Sequence, residues 1–238
     1  MDAKTPKYRR VLLKLSGEAL AAGGSEIINR DFVKQIAQVL RRCLAAGTQI
    51  GIIVGAGNIW RGRQGGDMDP TRADSMGMLA TAINAIALED AFIANGIDAH
   101  AMTAVDMSRF AEPFVRDEAI RYLEKGSVVI FGCGLGIPFL STDTAAAVRA
   151  AEIGADIVLM AKNIDAIYTA DPMKDPTAKR LETVSCGEIL EKRLAALDFT
   201  ATAFCMDHRM PVLAFGLSDP ENIYRAVMGE AIGTVIVP

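Results

Sequence analysis

The 238-residue chain has few aromatic, histidine and cysteine residues, and each shortage excludes something. Aromatics make up 6% of the residues, so the interior has to be built from Ala, Val, Ile, Leu and Met. The four cysteines, Cys43, Cys133, Cys186 and Cys205, are far apart and show no C-x-x-C spacing. Only His100 and His208 stand beside them, which does not support a structural zinc site. Reduced, packed thiols of a cytosolic protein are the expectation. No tract of like charge exists; the formal net charge is -4 and the pI about 5.3, so no nucleic-acid surface is signalled. Residues 1–10 are polar and unlike a signal peptide. No stretch reads as the ~20 apolar residues of a membrane span, so the expectation is a soluble, cytoplasmic protein. Familiar nucleotide signatures are missing too. There is no Gly-Lys pair and hence no Walker A loop. Trp60 and Ile137 stand where G-x-G-x-x-G would need a third glycine, and protein-kinase signatures are absent.

Apolar residues are plentiful: they make up 51% of the chain, and mean hydropathy is +0.25, enough for a sizeable core. Apolar runs at 11–13, 50–54, 99–105, 127–131, 156–161, 211–215 and 234–237 predict strands. Helical spacing predicts helices over 31–46, 73–95, 113–124, 144–153, 186–195, 200–209 and 222–228. Their alternation predicts a largely parallel sheet covered on both faces. A short arm at 1–7 and one domain over 8–238 are expected.

Three predicted strands run into polar, glycine-bearing loops at 14–17, 55–62 and 132–143. A parallel sheet brings such ends to one edge, where ligands of open α/β sheets bind. Glycines there let backbone N–H groups approach phosphate oxygens, and helix N-termini add positive potential. Lys14 supplies a point charge, with Ser16 and Gly17 beside it; an ordinary strand-to-loop turn with a solvated lysine explains the same residues. Arg61 is suited to bidentate phosphate binding or is a plain surface arginine. Asp74, Ser141, Thr142 and Asp143 read equally as helix caps or as ligands. Residues 64–72 read as a mobile loop, and Met68, Met76, Met78, Met102 and Met107 as packing. No nucleophile has an adjacent histidine. That suits phosphoryl transfer, which needs charge neutralisation more than covalent chemistry.

Five motifs in order carry a resemblance. They are Lys-Leu-Ser-Gly-Glu-Ala-Leu at 14–20, Val-Gly-Ala-Gly-Asn-Ile-Trp-Arg-Gly at 54–62, Asp-Ser-Met-Gly-Met-Leu-Ala-Thr at 74–81, Pro-Phe-Leu-Ser-Thr-Asp at 138–143 and Tyr-Thr-Ala-Asp-Pro at 168–172. Together with Val-Met-Gly-Glu at 227–230 they resemble the bacterial uridylate kinases of the amino acid kinase superfamily. The resemblance implies an α/β/α sandwich around a mainly parallel sheet of about eight strands. It implies transfer of the ATP γ-phosphate to UMP with Mg²⁺, a homohexamer, inhibition by UTP and a place in pyrimidine nucleotide synthesis.

By position, Lys14, Asp143 and Asp198 are the implied catalytic residues, the two aspartates organising the lysine or a metal. Lys14, Leu15, Ser16, Gly17, Gly57, Arg61, Asn163, Tyr168 and Asp171 are implied for ATP. Ala56, Asp74, Leu135, Gly136, Ile137, Pro138, Phe139, Leu140, Ser141 and Thr142 are implied for UMP. The chain departs from the family pattern at several places. Ala56 stands where glycine is frequent, Leu135 and Ile137 replace a Thr and an Asn, and Lys162-Asn163 replaces a Thr-Lys pair. Residues 22–27 differ from GTP-regulated members, which leaves GTP activation open. A carboxylate or carbamate kinase of the same fold, a non-catalytic nucleotide sensor and a dinucleotide oxidoreductase are the rival readings.

Overall fold

The computed structural model describes residues 5–24, 26–60 and 66–238. Strand β1 (Arg10–Leu15) lies at the centre of the sheet. Its side chains alternate between the two faces. Val11, Leu13 and Leu15 enter one core and Leu12 the other, which puts Lys14 on the Leu12 face. Leu12, Leu13 and Leu15 are each 0% exposed. At roughly 1.5–3 kcal/mol per fully buried side chain, they fix the strand far more strongly than the half-buried Lys14 opposes it.

After β1 come α1 (Gly17–Ala21), α2 (Arg30–Ala45), β2 (Gln49–Val54) and α3 (Pro70–Ala94). Then follow β3 (Ala99–Thr103), β4 (Glu112–Pro113), α4 (Arg116–Glu124), β5 (Val128–Gly132), α5 (Thr142–Ile153) and β6 (Ile157–Lys162). The remainder is β7 (Ile167–Tyr168), β8 (Arg180–Leu181), β9 (Thr183–Ser185), α6 (Cys186–Lys192), α7 (Phe199–Asp207), β10 (Val212–Gly216), α8 (Glu221–Val227) and β11 (Thr234–Val237). The described residues form a nine-stranded sheet of order β4-β3-β5-β2-β1-β6-β10-β11-β9, with β7 and β8 in a separate hairpin. Only the β10–β11 pairing in the large sheet is antiparallel. Helices α2, α3 and α8 pack on one face and α4 to α7 on the other, giving the expected three layers. Between β2 on one side of β1 and β6 on the other the winding reverses, so the loops leaving β1, β2, β5 and β6 meet at a topological switch point.

Several boundaries differ from the sequence reading. The sheet has nine strands against the about eight that the resemblance implies: the seven read from apolar runs, joined by two very short edge strands, β4 and β9. Pro113 lies in β4, paired with Thr103, and α4 starts only at Arg116. Proline lacks the N–H a helix interior needs but is tolerated on a sheet edge. Helix α3 begins at Pro70 rather than at residue 73, with Asp69 as N-cap accepting from the Arg72 N–H at 3.1 Å. A proline at the first helical position is favourable there. Residues 70–72 are therefore helical, while 64 and 65 of the expected loop fall outside the described residues.

Helix α3 also corrects the expectation about membrane spans. By length and composition alone it is long and apolar enough to cross one, with a hydropathy of 1.4 over its most apolar window, 39% of it buried. Its alanine-rich stripe packs on the sheet through Ala85, Leu88 and Phe92, while Leu79, Ile83 and Ile93 are exposed. Of the five methionines read as packing, Met102 is buried in the core, but Met68 and Met76 are exposed.

Candidate active site

Lys14 leaves β1 toward α5, and its Nζ lies 3.2 Å from Asp143 Oδ1. Both side chains are largely shielded, 13% and 20% exposed, so the pair is stronger than a surface ion pair. Asp143 sits in the first turn of α5, whose N-cap is Ser141; the Ser141 Oγ accepts from the Thr144 N–H at 3.0 Å. Ser141 Oγ also donates to Asp198, the N-cap of α7. Asp198 further accepts from the Ala201 N–H at 2.9 Å and from Thr144 Oγ1 at 3.2 Å. The N-termini of α5 and α7 are thus tied together beside Lys14, and their helix dipoles favour an anion. The alternatives of cap or ligand resolve differently by residue. Ser141 is a cap that also lines the first cleft, whereas Asp143 has its carboxylate on Lys14; Asp198, implied as catalytic, is the cap of α7.

Lys162, at the end of β6, is a further cation of this cluster. Its Nζ donates to the Ala196 carbonyl. Burial, and secondarily the charge of Lys14, push its ammonium below the ordinary lysine value, with Asp143 and Asp198 acting in the opposite sense.

The first two glycine loops interlock. Gly17 lies so close to the second loop that a Cβ there would stand 2.6 Å from the Gly57 nitrogen and 2.7 Å from the Gly55 oxygen. No side chain fits, which explains a glycine directly after the N-cap Ser16, whose Oγ accepts from the Ala19 N–H at 3.2 Å. The second loop is anchored by a reciprocal amide pair. Asn84 Nδ2 donates to Asn58 Oδ1 at 2.8 Å and to the Gly55 carbonyl at 2.8 Å, and Asn58 Nδ2 returns a bond to Asn84 Oδ1 at 2.9 Å. Trp60 Nε1 donates to the Ala73 carbonyl at 2.9 Å. Arg61 lies outside the described residues.

The third loop is the most contorted. Cys133 and Phe139 both have left-handed backbone, with φ of 61° and 68°. Such non-glycine residues cost about 1–3 kcal/mol each and persist only where neighbours hold them. The Cys133 N–H donates to Thr81 Oγ1 at 2.8 Å, and Arg149 donates to the Gly134 carbonyl at 3.1 Å. The Phe139 N–H donates to Asp74 Oδ2 at 2.8 Å. Asp74 is therefore not an N-cap. It lies one turn inside α3 and reaches across to the third loop.

These loops enclose two clefts of about 620 Å³ each. Glu18 and Gly57 line both, so they form a shared wall. The first cleft contains Ala56, Asp74, Ile137, Leu140, Ser141 and Thr142 of the residues implied for UMP. The second contains Asn163, whose Nδ2 lies 3.3 Å from Glu18 Oε2. Other expected residues stand elsewhere. Leu15 is fully buried, and its carbonyl accepts from the Gly55 N–H at 2.9 Å, which leaves it no side-chain role. Leu135 is partly buried and packs its apolar side chain against the core. Gly136 bonds back to the Cys133 carbonyl at 2.8 Å. Pro138 and Phe139 form the outer part of the same loop, Phe139 being 71% exposed. Tyr168 and Asp171 line neither cleft. The Tyr168 hydroxyl donates to Asp165 at 3.0 Å, and Asp171 caps a local turn through the Met173 N–H at 3.0 Å.

Sequence reasoning gives no role to Asn84, Thr81, Arg149 or Lys162. Asn84 and Thr81 carry a signal in hindsight: they are polar residues inside the alanine-rich stripe of α3 that faces the sheet. Arg149 is 4% exposed and lies 3.8 Å over the Phe114 ring, a placement no local pattern announces.

The sequence pattern of the amino acid kinase family matches residues 9–214. UMP kinase from Bacillus anthracis shares 32% identity and a TM-score of 0.93 over 97% of this chain and 96% of its own. UMP kinase from Ureaplasma parvum shares 31% identity over 98% of this chain and 100% of its own, with a TM-score of 0.91. Uridylate kinase from Archaeoglobus fulgidus shares 27% identity over 95% and 99%, with a TM-score of 0.74. Matched by the family pattern over most of its length, and by solved relatives over nearly all of it, the chain belongs to the amino acid kinase family.

Proposed function

We propose that this protein transfers the γ-phosphoryl group of ATP to UMP, giving ADP and UDP, as a step of pyrimidine nucleotide synthesis. The observation that carries the reading is the pair of clefts sharing the Glu18–Gly57 wall, with the Lys14–Asp143 pair beside the loops that border them. Two polyanions can then be held next to each other, one per cleft. The names of the three relatives, all UMP or uridylate kinases, support the choice of acceptor.

In the proposed reaction an oxygen of the UMP phosphate attacks the γ-phosphorus. The P–O bond to the β-phosphate breaks, and its electron pair leaves on ADP. The UMP phosphate is already ionised, so no base has to take a proton. The protein's task is to align the two phosphates and offset their charge. Lys14 is the cation for the moving group, Asp143 orients it, and Asp198 fixes the α5–α7 junction. Asp74, Ala56, Ile137, Leu140, Ser141 and Thr142 bind UMP in the first cleft, with Leu135, Gly136, Pro138 and Phe139 shaping its loop. Ser16, Gly17, Gly57 and Asn163 face ATP, Leu15 only through its backbone. Arg61, Tyr168 and Asp171 are proposed as ATP contacts on resemblance alone.

Mg²⁺ is proposed to arrive as part of the ATP substrate. Among the described residues no group of three or more His, Cys, Asp and Glu is placed to hold a metal ion. Asp143 is engaged by Lys14, and Asp198 by Ser141, Thr144 and Ala201. A cytoplasmic homohexamer inhibited by UTP is proposed from the same resemblance, and the exposed apolar residues Leu79, Ile83 and Ile93 of α3 support self-association. The test is ADP release with MgATP and UMP, CMP or dTMP in parallel. Turnover with UMP well above the other two is expected. Turnover with a carboxylate or carbamate instead, or UMP binding without turnover, would overturn the reading.

A further inference from the structure

We propose that Lys162 is a second phosphate-binding lysine of the transfer site, acting beside Lys14 on the phosphates of the donor nucleotide. The inference rests on the kinase reading above, but the calorimetric arm of its test does not need the acceptor. Met160 pairs with Lys14 across β6 and β1, and Lys162 lies two residues beyond Met160. With a period of two, Lys162 projects from the same sheet face as Lys14, one pleat nearer the loops. It directly precedes Asn163, which lines the second cleft.

Its surroundings answer the charge only in part: Asp143 and Asp198 act on it from a distance, and each is engaged by other groups. Asp143 is paired with Lys14, and Asp198 is occupied by Ser141, Thr144 and Ala201. Among the described residues Lys162 has no carboxylate at ion-pair distance; its Nζ meets only the Ala196 carbonyl. An ammonium has three donors, so two are left for a ligand. The N-termini of α5 and α7, tied together through Asp198, also bring their positive ends to this place. A half-buried cation so placed is held at a cost unless an anion completes the site. The depressed ammonium of Lys162, caused first by burial and then by Lys14 against Asp143 and Asp198, agrees with this.

A bound phosphate would reverse that depression. The proposal therefore predicts proton uptake when a non-hydrolysable ATP analogue with Mg²⁺ binds on the alkaline side, below the ordinary lysine value of 10.5. Titration calorimetry in two buffers of different ionisation enthalpy reads the uptake directly. Wild type should take up protons, and Lys162→Met should not. The same variant should lose about 100-fold in kcat, the order seen for one charge-stabilising donor, with KM for UMP little changed. Its thermal midpoint without nucleotide should hold, because a costly charge is removed. A variant that keeps wild-type proton uptake and kcat overturns the proposal. So does one whose activity falls only in step with a lower thermal midpoint, which marks a purely structural lysine. Should the variant fail to fold, absence of uptake in wild type overturns it on its own. Absence of UMP turnover in a wild type that still takes up protons would instead count against the acceptor assignment.

Discussion

Replacing Asn84 by alanine should weaken the fold and both substrate sites together. Asn84 is 0% exposed and makes three hydrogen bonds, to Gly55 and reciprocally with Asn58. Truncation leaves the Gly55 carbonyl and one end of the Asn58 amide without those partners. Each buried group left unsatisfied costs about 1–3 kcal/mol. Asn58 keeps its bond to the Ile27 carbonyl at 2.8 Å and can turn partly toward water, so its share is the smaller one. A total of about 2–4 kcal/mol follows. For a domain of this size, that corresponds to a fall in thermal midpoint of roughly 5–15 °C. The functional consequence is more specific. Gly57 lines both clefts and packs on Gly17, so a loosened second loop disturbs both. KM for ATP and KM for UMP should therefore rise together. Thermal unfolding followed by circular dichroism, with initial rates varied in each substrate, measures both effects. An unchanged midpoint, or a rise confined to one substrate, would refute the view that the amide pair anchors a shared wall.

Other perturbations separate the remaining roles. Lys14→Met should lower kcat by at least about 100-fold while UMP still binds in calorimetry, since one charge donor to the moving phosphoryl is lost. Near-normal turnover would remove Lys14 from the reaction. Asp74→Asn retains an acceptor for the Phe139 N–H but loses the charge, so KM for UMP should rise more than KM for ATP; the reverse order would place Asp74 wrongly. Burial pushes the Cys43 and Cys205 thiols from 9.0 up to about 12. A raised folded value means that their contribution to stability is fully present below about pH 9 and is lost as pH climbs toward about 12. Denaturant midpoints should fall over that range, and Cys43→Ala with Cys205→Ala should flatten the fall. A decline equally steep in the double variant would assign it to other groups.

The layered fold was legible because its long elements follow plain periodicities. Buried runs such as Val128–Gly132 between turn signals, and the helical spacing of Ile36, Val39 and Leu40, stand out along the chain. The parts that escaped are set by tertiary context. Strands β4 and β9 are two and three residues long and exist only as partners of β3 and β11. Asp69-Pro70 reads locally as loop, yet it supplies the N-cap and first helical residue of α3. In the site, Lys14 and Asp143 lie far apart in sequence and were paired by resemblance, and the structure brings them to 3.2 Å. Leu135, a departure from the family pattern, is partly buried against the core behind the loop. The resemblance implies ATP contacts for Tyr168 and Asp171, whose hydrogen bonds here are local ones. Lys162 stands out in the sequence only as a departure from the family pattern, because nothing in its neighbours along the chain reveals the carboxylates and helix ends around it.

The central claim is direct phosphoryl transfer between nucleotides held in the two clefts. It is tested by incubating the protein with MgATP labelled at the γ-phosphorus and with UMP, then separating the products. Label in the β-position of UDP, formed by wild type and nearly absent with Lys14→Met, is the predicted result. Label released as inorganic phosphate, or left on ATP while UMP is bound, would contradict the account.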